Sequence, residues 1–131
     1  MELNLKIVGC LQILLACIHI LFPKEFNWKE ELKSLSLLNR QILQVHTFFI
    51  ALTVLLMGIL SFWSSALLLE GELGKRVGLG LSIFWLCRLL IQLFGYSTKL
   101  WRGKPKETFI HCVFIFLWAY FSWTYLKIFL A

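Results

Sequence analysis

The stretch that decides the fold is VGLGLSIFWLCRLLIQLFG, residues Val77 to Gly95, an apolar run interrupted by a single arginine. At ~1.5 Å per residue, this run has the length of a membrane-spanning helix. Arg88 lies about 9 residues, or roughly 13 Å, before Ser97. An arginine at this depth costs at least ~2.5–3.5 kcal/mol on insertion scales and is normally retained for a partner or a water-filled cavity. Arg88 is therefore the first candidate site residue.

The composition of the whole chain agrees with a membrane protein. Of the 131 residues, 60% are hydrophobic and only 15% are charged, and the mean hydropathy is +0.80. The sequence therefore predicts an all-α integral membrane protein, because a soluble domain carries about a quarter charged residues. The net charge of +6 lies mainly in connectors, where basic residues meet anionic lipid head groups. Membrane lipids are the expected partners, and nucleic acid is not expected.

Four apolar segments predict a single four-span domain over residues 1–131, with spans at about 5–22, 42–69, 77–97 and 109–130. The connections favour an up-down bundle of four transmembrane helices. Between spans 1 and 2, Asn27 and Glu30 have the spacing of a capping box, and Trp28, Leu32 and Leu35 mark one apolar face. This pattern predicts a short interfacial helix. Residues 71–76, GELGKR, are expected to form a turn.

The distribution of basic residues predicts the orientation of the chain. Eight Lys and Arg residues lie in the long connectors 23–41 and 98–108, and four lie on the opposite side. Because cytoplasmic loops carry the excess of Lys and Arg, the long connectors are expected in the cytoplasm and both termini outside, in a bacterial inner membrane. Residues 14–17, LLAC, match the end of a lipoprotein cleavage box, but the apolar run continues beyond them, so a retained helix is expected.

Two residue types give weaker signals. The four cysteines lie in apolar segments without a C-x-x-C pair, so they are expected to be buried thiols rather than a redox site. Gly78 and Gly80 permit close approach of a helix, but their spacing is not that of a small-xxx-small pair and does not predict a dimer.

Polar residues recur at helical spacing in every span, which predicts that they face a shared interior, because lipid tails cannot satisfy them. Pairs four or seven residues apart occur in the first three spans, and a heptad-like stripe follows the fourth. Counting from the span ends places all three histidines near the cytoplasmic boundary. The predicted ligand-binding residues are Arg88, Gln92, His19, His46, His111, Gln12, Thr53, Tyr96 and Trp118.

The chemistry of this predicted cavity leaves several functions open. No acidic residue lies inside a span, so Arg88 needs an anion from outside the chain: a lipid phosphate, the carboxylate of a lipophilic ligand, or an acidic partner subunit. A non-catalytic accessory or lipid-binding bundle is the favoured interpretation. Haem b held by two histidines in an electron-transfer protein is the first alternative. A metal site made of His19, His46 and His111, and a membrane enzyme or transporter for a lipophilic anion, are the others.

Overall fold

The computed structural model describes all residues from 1 to 131, and the chain is helical without any strand. Four long helices dominate: α1 (Glu2–His19), α2 (Leu37–Trp63), α3 (Gly71–Gly95) and α4 (Pro105–Leu130). Each is long and apolar enough to cross a membrane. The predicted all-helical class and the existence of four apolar helices of spanning length are therefore confirmed.

Several predicted boundaries are wrong. Helix α2 begins at Leu37 rather than near residue 42, and it ends at Trp63 before a single helical turn, Ser65–Leu68. The GELGKR segment is not a connector but the first turns of α3. Helix α3 is preceded by Glu70, which is extended, and begins at Gly71, whose φ of +70° is readily adopted only by glycine. The charged residues of this segment therefore lie on a helix.

The interfacial helix predicted between α1 and α2 does not form as one element. The segment contains two single-turn helices, Phe22–Glu25 and Trp28–Glu31, and a 3₁₀ turn, Leu32–Ser34. The predicted capping box is wrong, because Asn27 is left-handed with a φ of 52° and makes no side-chain cap. Glu30 forms an ion pair with Lys33 at 2.9 Å instead.

The true N-terminal cap in this region belongs to the next helix. The Ser36 Oγ accepts a hydrogen bond from the Asn39 backbone N–H at 3.2 Å, which satisfies one of the free donors at the start of α2. Leu35, directly before this cap, is extended with a ψ of 150°. An extended residue ends the preceding turn, so the predicted apolar face cannot continue through Leu35.

The chain divides into two compact units, which are described separately. The first unit comprises residues 3–65 and contains nearly all of α1 and the whole of α2. Its two long helices approach closely at Gly9 and Gly58, both of which are buried. A Cβ placed on Gly9 would lie 2.7 Å from the Gly58 carbonyl oxygen, and one placed on Gly58 would lie 2.8 Å from the Gly9 carbonyl oxygen. Only residues without a Cβ permit this approach.

The second unit comprises residues 66–131 with residues 1–2, and its core is the antiparallel pair α3 and α4. Gly78 lies against Ile128, and Ser82 is bonded to Ser122, so the residue numbers rise along α3 as they fall along α4. The buried side chains between the two helices are mainly aromatic and aliphatic: Trp85, Trp118, Phe121, Tyr125 and Ile128.

The structure bears on both of the weaker sequence signals, and it contradicts the one from the cysteines. Gly74, Gly78 and Ser82, spaced four residues apart, are all buried along α3, whereas nothing lies within 4 Å of a Cβ built on Gly80. Gly78 lies against Ile128 of α4 and Ser82 bonds to Ser122 of α4, whereas Gly74 lies against the backbone of Leu67 and Leu68, which precede α3. All four cysteines are exposed rather than buried.

Candidate functional site

Arg88 lies near the C-terminal end of α3 and is enclosed by aromatic rings. Its guanidinium carbon is 5.1 Å from the centroid of the Trp118 ring and 5.6 Å from that of the Tyr96 ring. Both distances are within the range of cation–π attraction. The Arg88 Nη2 donates a hydrogen bond to the Tyr96 hydroxyl at 3.2 Å. Because Tyr96 follows the last residue of α3, the side chain of Arg88 extends towards that end of the helix.

The other terminal nitrogen of Arg88 is not satisfied by the chain. Nη1 is buried and has no hydrogen-bond acceptor. Within the second unit, no carboxylate forms a salt bridge with Arg88. The residue as a whole is nevertheless only half-buried. A charged donor without an acceptor costs about 1–3 kcal/mol or more, so Arg88 has unused capacity to bind an anion.

Beside Arg88, three side chains from α3 and α4 form a hydrogen-bonded chain. The Trp118 indole Nε1 donates to the Gln92 Oε1 at 3.3 Å, and the Gln92 Nε2 lies 2.8 Å from the His111 Nδ1. Gln92 and Trp118 are 5% and 3% exposed, so this chain is held inside the helix pair. Gln92 lies in a π-helical turn, Ile91–Gly95, that follows Arg88 closely. Wide turns of this kind are frequent at functional sites.

His111 is also held by the connector between α3 and α4. Its ring stacks on Trp101 with centroids 4.8 Å apart and planes inclined by 13°. Trp101 is itself fixed to the start of α4, because the Thr108 hydroxyl donates to its backbone carbonyl. Trp101 could not be predicted as a site residue, since a residue in an irregular connector has no periodicity that would reveal its neighbours.

This connector carries an excess of positive charge close to the site in sequence. Residues 98–108 contain four exposed basic residues and one acidic residue, Glu107; the basic residues are Lys99, Arg102, Lys104 and Lys106. Basic segments next to a membrane attract anionic lipids by about 1 kcal/mol for each Lys or Arg near the surface. We call the set of Arg88, Gln92, Tyr96, His111 and Trp118 the Arg88 cluster.

The remaining predicted site residues belong to the first unit. Gln12 is fully buried on α1. His46 and Thr53 are exposed on α2, where the Thr53 hydroxyl donates to the Phe49 carbonyl of its own helix. His19 is half-buried and its Nδ1 donates to the Leu15 carbonyl at 2.8 Å. A cavity of about 220 Å³ lies beside His19 and Trp28.

The structure thus brings together five of the nine predicted residues, those of the Arg88 cluster. A pocket shared by all three histidines stays a prediction. No group of three or more His, Cys, Asp or Glu side chains is placed to hold a metal ion, and no contact in either unit singles out a pair of histidines for haem b.

Helix length, apolar surface and a partly buried arginine define the class of this protein: an all-helical chain with four helices suited to spanning a membrane and a cationic, aromatic-lined cluster at one end of a helix pair. Comparison with protein-family models, with curated proteins and with solved structures finds no match for this chain.

Proposed function

We propose that this protein is a non-catalytic membrane protein that binds an anionic head group through Arg88. The observation that carries the proposal is the buried Nη1 of Arg88, which has no acceptor within the chain. A guanidinium is the side chain best suited to phosphate and carboxylate, because its N–H groups match two oxygens of an oxyanion. In apolar surroundings such a bond is stronger than in water.

A membrane lipid is the source of this anion that the surroundings favour. Tyr96 and Trp101 flank the end of α3 towards which Arg88 extends, and Tyr and Trp are typical of the membrane–water interface. Long basic side chains near helix ends extend their charged groups to this interface, as Arg88 does towards the end of α3. The basic connector 98–108 adds attraction for an anionic lipid there.

The proposed orientation in the membrane follows from the basic residues of the two long connectors. Residues 23–41 and 98–108 lie on the cytoplasmic side and both termini outside, in the inner membrane of a bacterium, because Lys and Arg are in excess in these two connectors. The Arg88 cluster then faces the cytoplasmic leaflet. An acidic residue of a partner subunit offers the same chemistry to Arg88 as a lipid phosphate, so the test must separate these two sources.

The experiment compares the variants Arg88→Gln and Arg76→Gln after extraction in a mild detergent. Arg76 is the matched control, because it lies on the same helix and is exposed. Native mass spectrometry measures the fraction of protein that keeps an added phosphatidylglycerol. Loss of one charged hydrogen-bonding partner is worth about 1.5–3 kcal/mol, so we expect binding about 10- to 100-fold weaker in Arg88→Gln and near-unchanged binding in Arg76→Gln.

Two results would contradict the proposal. If both variants retain the lipid as the wild-type protein does, Arg88 does not hold the head group. If instead a second polypeptide co-purifies with the wild-type protein and is lost only in Arg88→Gln, the anion is a carboxylate of a partner subunit and the lipid is not the ligand.

A further inference from the structure

The hydrogen-bonded chain from Trp118 through Gln92 to His111 has a direction that is set by chemistry. An indole N–H can only donate, so the Gln92 atom that faces the Trp118 Nε1 at 3.3 Å must be the amide oxygen. The amide NH₂ then faces the His111 Nδ1 at 2.8 Å. An NH₂ group can only donate, so Nδ1 must accept, and the proton of the neutral imidazole lies on Nε2.

The opposite arrangement is excluded because it brings two donors into contact. If Nδ1 carried the proton, the Gln92 amide would have to turn its oxygen towards His111, and its NH₂ would then face the indole N–H. Both Gln92 and Trp118 are buried, so water cannot relieve such a contact. We infer that Trp118 and Gln92 are positioning residues that fix His111 as an Nε2–H donor, so that His111 and Arg88 present only donors and favour an acceptor-only head group.

The other polar groups of the cluster agree with this inference. The Tyr96 hydroxyl accepts from the Arg88 Nη2, so its own proton is left to donate. Arg88 has no acceptor atom at all. Ionised carboxylates and phosphodiesters present acceptors alone and form the stronger, charge-assisted bonds, whereas an alcohol or a protonated acid accepts more weakly and has a hydrogen for which His111 and Arg88 offer no acceptor. The ligand class is therefore an ionised carboxylate or a phosphodiester, a conclusion that rests on the proposed function of this site.

The same arrangement argues against a haem or metal ligand at this position. With Nδ1 engaged by Gln92 and the proton on Nε2, neither ring nitrogen of His111 has a lone pair free for coordination. His19 differs, because a backbone carbonyl can only accept and the bond from its Nδ1 to Leu15 places a proton on Nδ1. His19 is thus expected in the Nδ1–H form and serves as a reference signal for the tautomer opposite to that of His111.

The test is nitrogen NMR of the full-length protein labelled with ¹⁵N-histidine, in bicelles. The long-range correlations between ring protons and nitrogens distinguish the two tautomers, and His111→Gln assigns the signals. In the wild-type protein we expect His111 as the Nε2–H form alone. In Gln92→Glu, a carboxylate that can only accept should move the proton to Nδ1, and in Trp118→Phe both tautomers should appear because the amide is free to turn.

An Nδ1–H form or a mixture at His111 in the wild-type protein would overturn the inference, and so would an unchanged tautomer in Gln92→Glu. The wild-type measurement needs no variant, so a variant that fails to fold does not remove the test.

The ligand class is tested by binding of oleate, didodecyl phosphate and oleyl alcohol to the wild-type protein, measured by native mass spectrometry. We expect the two anions to bind at least about tenfold more tightly than the alcohol, since each donor of the cluster adds a charged hydrogen bond to them. Preference for the alcohol would overturn the ligand class.

If oleate binding is lost in Arg88→Gln while His111 carries its proton on Nδ1, this inference fails and the proposed function stands. If His111 has the expected tautomer but Arg88→Gln binds oleate normally, the proposed function fails together with the ligand class.

Discussion

Ser82 on α3 and Ser122 on α4 exchange two hydrogen bonds across the helix pair: the Ser82 hydroxyl donates to the Ser122 carbonyl at 2.9 Å, and the Ser122 hydroxyl donates to the Ser82 carbonyl at 3.2 Å. Both residues are buried. Because each bond joins a side chain to a backbone oxygen, it fixes the register of one helix against the other. That register places Gln92 beside His111 and Arg88 beside Trp118.

The first prediction concerns this pair. Ser82→Ala and Ser122→Ala should each lower the free energy of unfolding by about 0.6 kcal/mol, with an upper range near 1.7 kcal/mol, as is typical of interhelical hydrogen bonds in membranes. The two residues are in direct contact, so the loss in the double variant should differ from the sum of the single losses by about 0.5 kcal/mol or more. Unfolding by SDS in mixed micelles gives the free energies. Thr53→Ala is the control, because its hydroxyl bonds only within α2; an equal loss there would show that the serine bonds have no special role.

The second prediction compares two glycines of α3, Gly78 and Gly80. A Cβ at Gly78 would lie 2.9 Å from the Ile128 Cβ and 3.0 Å from the Tyr125 carbonyl oxygen, whereas nothing lies within 4 Å of one at Gly80. Gly78→Ala should therefore destabilise the protein by about 1–3 kcal/mol through overpacking. Gly80→Ala should be neutral or stabilising by about 0.5–1 kcal/mol, because alanine is the better helix former. Thermal unfolding followed by circular dichroism measures both, and equal effects would contradict the packing of α3 against α4.

The third prediction concerns the first unit, where α1 and α2 meet at Gly9 and Gly58. Gly9→Ala should destabilise the protein by about 1–3 kcal/mol, because the atoms that would clash are backbone and cannot turn aside. The neighbouring Cys10 is exposed, so Cys10→Ala should leave stability nearly unchanged. The temperature at which the detergent-solubilised protein loses its gel-filtration peak reports the difference. A Gly9→Ala protein as stable as Cys10→Ala would mean that the two helices do not approach closely.

The fourth prediction concerns the start of α2. Ser36→Ala removes the bond to the Asn39 N–H and should cost about 1 kcal/mol of helix stability. Ser34→Ala, two residues earlier in the 3₁₀ turn and exposed, is the control and should have little effect. Hydrogen exchange of the first-turn amides of α2 should accelerate in Ser36→Ala only. Equal exchange in both variants would show that the hydroxyl does not cap the helix.

Sequence patterns predicted those structural features whose physical cause lies within a single segment of the chain. The heptad-like stripe on the fourth span predicts one inward face of α4; Trp118, Ser122 and Tyr125 are buried, whereas His111 and Ile115 are only half-buried. The capping box at Asn27 failed because a residue pattern does not reveal a left-handed φ. The helical character of residues 71–76 was missed because glycine is read as a turn residue even where it permits helix packing.

What the sequence alone determined is the class of protein: the number and approximate extent of its apolar helices, and the presence of one arginine without an acidic partner. These follow from hydropathy and composition, which depend on each segment by itself. The tertiary structure decided which polar residues meet. Arg88, Gln92, His111 and Trp118 come together because α3 and α4 pack in one register, and Trp101 reaches His111 only through the path of the connector. Contacts between segments depend on side-chain packing and backbone approach, which no single segment encodes.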